Sequence, residues 1–295
     1  MKRSLIVLLS LFFVITAGCP QREAQSEKIT IVVSIVPLAE FVEKIGGDNV
    51  VVSVMVPPGA SPHAYEPTPG QLTEVSKAQM YVKVGSPIEF ELVWLNKILS
   101  TNKDIFVCDA SSEVELVKMH QYHTHEERKR QSDKGLDPHI WLSPKNAKIM
   151  VKNICSSFIS IDSVNEKCYT ANKEKYLKKL DSLDRYIEKI LKEITNRKFM
   201  VYHPSWAYFA RDYNLEQISV EAEGKEPTAK GIQHLIEQAR KYNIKVIFAS
   251  PQFNTESAEV VAREIQGRVA LINPLAKNYI TNMKKVAQAL SEAME

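Results

Sequence analysis

Cysteine is scarce in this chain, and its spacing removes support for several kinds of site. Only four cysteines occur among 295 residues, and no two of them form a Cys-x-x-Cys motif. Thiolate zinc sites and thioredoxin-type redox chemistry therefore have no support. Two interpretations stay open for the three cysteines other than Cys19. Cys155 and Cys168 are close enough in sequence to form a bridge in an oxidising compartment. The odd count favours the alternative, in which Cys108, Cys155 and Cys168 are all buried thiols.

Long hydrophobic runs are also rare, and the one at the N-terminus is too short to cross a bilayer. Leu5–Ile15 is apolar apart from Ser10, whereas a membrane-spanning helix needs roughly 20 apolar residues. Lys2 and Arg3 precede this run and small residues follow it. A basic start, a short apolar run and small residues are typical of an export signal. We therefore predict a signal peptide over residues 1–18.

The end of this signal resembles the lipobox of bacterial lipoproteins. The phrase is Ile15-Thr16-Ala17-Gly18-Cys19, and it predicts that Cys19 becomes the acylated first residue of the mature protein. Residues 19–28 would then form a polar tether between the lipid and the fold. More than one acyl chain is needed for stable anchoring. The alternative is ordinary secretion with complete release.

An excess of charge of either sign is lacking as well. Removing the predicted signal takes away two of the 38 basic residues and none of the 35 acidic ones, which leaves a net charge of +1. Such a balance supports neither nucleic-acid binding nor a role on a membrane surface. The sequence contains no H-E-x-x-H and no G-x-S-x-G motif, so the common signatures of zinc peptidases and serine hydrolases are missing.

What the chain does contain is an alternation of short β-branched runs with helical patterns. Such alternation predicts an α/β fold, with mostly parallel sheets flanked by helices. Residues 29–160 and 197–295 each show it, so we predict two lobes of this kind. Their predicted strands are Ile29–Ile35, Val50–Val56, Met80–Val84 and Ile105–Asp109, then Phe199–Tyr202, Leu215–Val220, Val246–Ala249 and Val269–Ile272.

One long amphipathic pattern separates the two lobes. From Glu166 to Ile194 there is no glycine or proline, and leucine and isoleucine recur every three or four residues. This spacing predicts one helix with a buried and an exposed side. We expect residues 166–195 to form a long, rigid helix that bridges the lobes.

Three histidines follow predicted strands in equivalent places. His63 lies in the loop after the second strand, His139 follows the loop after the fourth, and His203 ends the first strand of the second lobe. In open α/β sheets, ligands bind beyond the carboxyl ends of the strands. A single histidine of this kind is more often structural, but three in equivalent places favour a metal site.

A second group of histidines lies in a polar run just before His139. His120, His123 and His125 are interpreted either as an accessory, low-affinity metal site or as a solvated loop that is rich in histidine. His234 falls in the middle of a predicted helix and is interpreted as a structural or surface residue.

Five segments of the chain resemble the signature segments of one protein family. PGASPHAYEPTPGQL, DPHIWLSPKNA and YHPSWAYFARDYNL contain the three histidines, and VIFASPQF and VALINPLAKNYITNM follow them. In this order they are similar to the metal-binding receptors (substrate-binding proteins) of bacterial zinc and manganese ABC importers. The resemblance covers nearly all of the mature chain. It implies two lobes bridged by a rigid helix, with the metal held between them.

The resemblance also implies which residues bind the metal. His63, His139 and His203 match the family's ligands, and manganese receptors tend to have a carboxylate at the third position. Three neutral nitrogens favour Zn²⁺. The family's fourth ligand is often an aspartate, but the matching residue is Asn273. We expect water or an open position there first, Asn273 second, and third a loop glutamate: Glu221, Glu223 or Glu226.

In this interpretation the protein is a monomeric receptor and not an enzyme. It would capture Zn²⁺ in the periplasm or on the outer cell surface, stay on the membrane through Cys19, and deliver the ion to the membrane subunit of an ABC permease. The alternatives are a manganese or iron receptor of the same family, a surface adhesin, and a zinc enzyme in which three histidines hold a reactive water.

Overall fold

The computed structural model describes residues 28–118, 135–221 and 225–294, and in these it contains two parallel sheets of four strands each. This confirms the predicted α/β class. The strands of the first sheet are β1 Ile29–Ile35, β2 Val50–Val56, β3 Met80–Lys83 and β4 Phe106–Asp109. Those of the second are β5 Lys198–Val201, β6 Glu216–Ser219, β7 Val246–Ala249 and β8 Arg268–Leu271.

The two sheets have the same topology. Their strand orders are β2-β1-β3-β4 and β6-β5-β7-β8, and every neighbouring pair is parallel. In each sheet the second strand of the lobe lies on one side of the first strand, and the third and fourth strands lie on the other side. The strand order therefore reverses at the first strand. The crevice beyond the carboxyl ends of such strands is where an open α/β sheet binds ligands.

Helices cover these sheets and connect their strands. Several begin where the sequence provides a cap: Thr68, Ser143 and Thr228 each accept a hydrogen bond from a backbone N–H in the first turn of the following helix, which satisfies a group that the helix itself cannot bond. The helices are α1 Val36–Gly46, α2 Pro69–Val75, α3 Glu89–Leu99, α4 Pro144–Ile161, α5 Glu166–Leu191, α6 Ala207–Asp212, α7 Ala229–Lys241, α8 Glu256–Glu264 and α9 Tyr279–Met294.

Helix α5 is the long bridging helix that the sequence predicts. Its 26 residues give a length of about 39 Å at 1.5 Å per residue. Leu180, Leu183 and Ile187 are buried along one side, as the spacing requires. The helix packs against α1 and α4 beside the first sheet and against α9 beside the second. It therefore connects both lobes along their length.

The hydrophobic core is continuous between the lobes. One cluster of buried side chains contains Val33 of β1, Leu183 of α5 and Phe199 of β5, together with Trp141 and Tyr279 between them. A smaller cluster fills the space between the second sheet and helices α7 and α8. Because the larger cluster includes residues of both sheets, packing fixes the lobes against each other.

The cysteines correct one expectation from the sequence. All three described cysteines are free, so Cys155 and Cys168 form no bridge. Cys108 and Cys155 are buried as expected, but Cys168 is exposed, and the prediction of three buried thiols is wrong for it. Cys168 lies in the first turn of α5, on the side of the helix that faces solvent.

None of the helices in the described ranges has a stretch that is both long and apolar enough to span a bilayer. Cys19, the predicted signal peptide 1–18 and most of the tether lie outside the described residues.

Candidate metal centre

His63, His139 and His203 come together between the two sheets. His63 lies in the loop between β2 and α2, His139 caps the 3-10 helix Ile140–Leu142, and His203 follows β5 after one intervening residue. The first two come from the first lobe and the third from the second lobe. The sequence placed each of them at the carboxyl end of a strand, and the structure brings those ends together.

The distances are those of a set of metal ligands. One ring nitrogen of each histidine lies within 4.8 Å of the others, and the Nε2 atoms of His139 and His203 are 3.3 Å apart. Two nitrogens bound at ~2.05 Å to a tetrahedral zinc ion are about 3.3 Å apart. The pair therefore already has the separation that such an ion requires.

A carboxylate holds the other nitrogen of each imidazole. The Nδ1 atom lies 2.6 Å from Glu89 Oε2 in His63, 2.9 Å from Asp137 Oδ1 in His139 and 2.6 Å from Glu221 Oε1 in His203. A carboxylate only accepts, so Nδ1 donates in each neutral ring. Each Nε2 then carries a lone pair, and the three lone pairs are the free donor sites of the centre.

Burial keeps His139 neutral. Desolvation lowers the pKa of its imidazole to about 4, although the charge and hydrogen bond of Asp137 act in the opposite direction. A neutral imidazole is the form that binds a metal.

The pKa of the Glu89 carboxyl is lowered. Burial alone would raise this pKa, but the hydrogen bond from His63 and the charge interaction with the His63 ring outweigh burial.

The space between the three rings is small and its walls are mostly apolar. It has a volume of about 10 Å³, which is close to what one water-sized sphere needs. Phe253 stacks on the ring of His203 with a centroid distance of 4.6 Å, and Trp141 lies against His139 at 5.4 Å. Pro62, Gln252, Pro274 and Leu275 complete the lining.

The candidates for a fourth ligand have other partners in this structure. The amide oxygen of Asn273 accepts hydrogen bonds from Leu275 N at 2.9 Å and from Gln252 Nε2 at 3.0 Å. These two bonds use both of its lone pairs. Glu221 is bonded to His203, and Glu226 accepts from the Tyr202 hydroxyl at 2.5 Å.

The remaining predicted residues are either outside the described ranges or in another part of the fold. Glu223 and the histidines His120, His123 and His125 lie outside the described residues. His234 lies in α7, where its Nε2 is 3.0 Å from Gln238 Nε2, in keeping with the structural role expected from the sequence.

Glu89, Asp137 and the aromatic cover were not predicted from the sequence, and Glu221 was predicted only as a candidate ligand, not as the partner of His203. Glu89 begins a helix 26 residues after His63, and nothing in its surroundings singles it out. Phe253 ends the segment VIFASPQF, but its contact with His203 was not predicted. Asp137 is the carboxylate that the sequence could have indicated. It lies two residues before His139, a spacing at which a carboxylate can reach the ring.

Known proteins resemble this chain over its whole length. The family model described as "Zinc-uptake complex component A periplasmic" matches residues 31–293. The high-affinity zinc uptake system protein ZnuA of Bacillus subtilis (strain 168) is 26% identical over 313 residues, which covers 99% of this chain and 98% of that protein. The zinc-binding lipoprotein AdcA of Streptococcus pneumoniae (strain ATCC BAA-255 / R6) is also 26% identical, but the match spans 62% of its length.

Solved structures agree with these relatives. A crystal structure of ZnuA is 40% identical, with a TM-score of 0.84 over 91% of this chain and 100% of that one. The Zn(II)-bound ZnuA-like domain of Streptococcus pneumoniae AdcA is 25% identical, with a TM-score of 0.74 over 90% and 99% of the two chains. The chain therefore belongs to the zinc-uptake complex component A (ZnuA) family.

Proposed function

We propose that this protein is a receptor that captures Zn²⁺ between its lobes with His63, His139 and His203 as ligands. One observation carries the proposal. The Nε2 atoms of His139 and His203 lie 3.3 Å apart while both Nδ1 atoms are held by carboxylates. Two Nε2 lone pairs at this distance repel each other unless a proton or a metal ion lies between them, so the arrangement is suited to a bound metal ion.

The donor set favours zinc over manganese. Three neutral imidazole nitrogens suit zinc, whereas manganese prefers sites rich in oxygen. The three carboxylates behind the rings supply negative charge without entering the coordination sphere. They fix the ring orientation and make each imidazole a better donor.

We further propose that water, or an anion from solution, occupies the fourth position. Both lone pairs of the Asn273 oxygen already accept hydrogen bonds, so coordination by this residue would require breaking one of them. A water molecule needs no such rearrangement and completes a tetrahedron.

The relatives support a proposal for the wider biological role. ZnuA of Bacillus subtilis is named as a zinc uptake protein and AdcA as a lipoprotein. We propose that this chain is likewise exported, anchored through Cys19 as a monomer, and delivers zinc to an ABC permease. Its two lobes are taken to be residues 29–160 and 197–295, with helix α5 between them.

Titration of zinc into the purified, metal-free protein tests this function. We expect one ion per chain at the tight site. His63→Ala, His139→Ala and His203→Ala should each weaken that binding by at least about 100-fold, because each removes one of three protein ligands. His234→Ala is the matched control, since it removes a histidine that lies in α7. Unchanged affinity in any of the first three variants would show that the residue is not a ligand.

A further inference from the structure

We infer that Glu89 is a positioning residue that sets how quickly the centre releases its metal. This inference rests on the proposed function. Glu89 acts through His63, whose ring it holds with a hydrogen bond of 2.6 Å. The inference is that the His63–Glu89 pair, defined here as the outer arm, is the one that opens when metal leaves.

The three histidine–carboxylate pairs differ strongly in exposure. The side chain of Glu89 is 52% exposed, against 1% for Asp137 and 5% for Glu221. His63 is likewise the most exposed of the three rings. Water can therefore compete for the hydrogen bond of the outer arm, whereas the other two pairs are shielded.

The buried pairs are also held by more contacts. Asp137 Oδ1 accepts from the backbone N–H of His139 as well as from its ring, at 2.8 and 2.9 Å. The carbonyl of Asp137 accepts from Tyr208 Oη at 2.8 Å. The ring of His203 is stacked against Phe253. Among the described residues, Glu89 has no side-chain partner other than His63.

The outer arm has space into which it can move. An open cavity of about 190 Å³ lies beside it and is lined by His63, Glu66, Glu89 and Val93, among others. The inner side of the centre offers only about 10 Å³. The larger cavity gives the His63 ring room to rotate outward, and it is far larger than the space that the three histidines line together.

Metal release requires that one ligand leaves first. The exposure of the outer arm and the cavity beside it favour His63 as that ligand. The backbone next to His63 is attached to α3, since Phe90 N donates to Pro62 O at 3.0 Å. The side chain is therefore the part of His63 most able to move, and Glu89 is the group that restrains it. Weakening this restraint should speed dissociation more than it slows association, because the buried pair His139 and His203 still receives the ion.

The experiment measures zinc association and dissociation rates by stopped flow with a fluorescent chelator. We expect Glu89→Gln to raise the dissociation rate about 10-fold and Glu89→Ala up to about 100-fold, the range seen when groups that orient ligands are removed. The association rate should change less than about threefold. Glutamine retains an oxygen that accepts from Nδ1, so it should preserve part of the effect.

Glu66→Gln is the matched control. Glu66 lines the same cavity and carries the same charge, but it forms no hydrogen bond with His63 in the structure, whose partner is Glu89. If Glu89→Gln and Glu89→Ala release zinc no faster than Glu66→Gln, the inference is wrong. Equal changes in both rates, or a lowered melting temperature of the metal-free variant, would also overturn it, since a general structural role predicts those results.

The failure of this inference can be told apart from failure of the proposed function. If the unmodified protein holds one zinc ion and His63→Ala loses it, the function stands whatever Glu89 does. If the unmodified protein holds no zinc, or His63→Ala keeps it, the proposed function itself fails.

Discussion

At the scale of single residues, the most consequential environment is that of His139. Its ring is almost fully removed from water and bonded to a carboxylate that is equally buried. Burial dominates, and the pKa falls from 6.5 to about 4. The residue is therefore ready to bind a cation at any pH at which the protein is expected to work.

This depressed pKa predicts an acid-dependent loss of stability in the metal-free protein. Between pH 6.5 and 4 the unfolded chain binds a proton at His139 that the folded chain does not, so the free energy of unfolding falls as pH decreases. Full loss of this contribution amounts to about 3 kcal/mol. Urea unfolding from pH 7.5 to 4 in EDTA should show that His139→Gln loses less stability than the unmodified protein. Parallel profiles would contradict the shift.

The three histidines of the proposed site could be predicted from sequence, but the pairing of each one with a carboxylate could not. Each histidine follows a strand and stands beside a proline (Pro62, Pro138 or Pro204), which is a local signal. Glu89 and Glu221 reach their histidines only through tertiary packing, from elements 26 and 18 residues away. Glu89 lies on an exposed helix, where glutamate is common, and Glu221 follows β6 in an acidic loop, so neither position indicates which histidine the carboxylate holds.

At the scale of secondary structure elements, Glu40 of α1 connects three parts of the fold. Its carboxylate accepts from the Tyr176 hydroxyl of α5 at 2.8 Å and from the backbone N–H of Tyr279, which begins α9, at 2.6 Å. Nearby, Trp141 Nε1 donates to Pro274 O at 2.8 Å. These bonds attach the start of the last helix to the first lobe.

Loss of the Glu40 carboxylate should therefore destabilise the whole fold. Glu40→Gln offers one acceptor oxygen to two buried donors, and leaving one donor unpaired costs about 1–3 kcal/mol. Glu43→Gln, on the same helix, removes only an exposed pair with Lys277, worth at most about 1 kcal/mol. The two free energies of unfolding, measured in urea without zinc, should differ accordingly. An equal or smaller cost at Glu40 would show that its bonds contribute little.

Most elements could be predicted because their patterns are long or sharply bounded. β1, β2 and β7 have the predicted bounds, and α5 ends four residues before the predicted end at residue 195. The 3-10 helix Ile140–Leu142, which His139 caps, was not predicted. Three residues are too few for a periodicity, and this turn forms because Ile140 and Trp141 are buried against the core.

At the scale of the whole molecule, the continuous core implies that the two lobes fold and unfold as one unit. The larger cluster joins both sheets through α5 and α9. Independent domains would show separate cores connected by few contacts. We therefore expect one cooperative unfolding transition.

Calorimetry of the metal-free protein tests this expectation. A single transition should appear, with equal calorimetric and van't Hoff enthalpies. Leu183→Ala, in the buried side of α5, should lower the free energy of unfolding by about 2–5 kcal/mol and shift that transition as a whole. Two resolved peaks, of which Leu183→Ala shifts only one, would show that the lobes unfold separately.

The uniform strand direction described above also bears on how the chain reaches its fold. Every neighbouring pair of strands is parallel, so each pairing must wait until a crossover segment has closed. Such non-local pairing is intrinsically slow. The N-terminal residues predict export, and slow strand pairing would lengthen the time during which such a chain stays unfolded and can be translocated. The architecture that brings the three histidines together thus also favours slow folding.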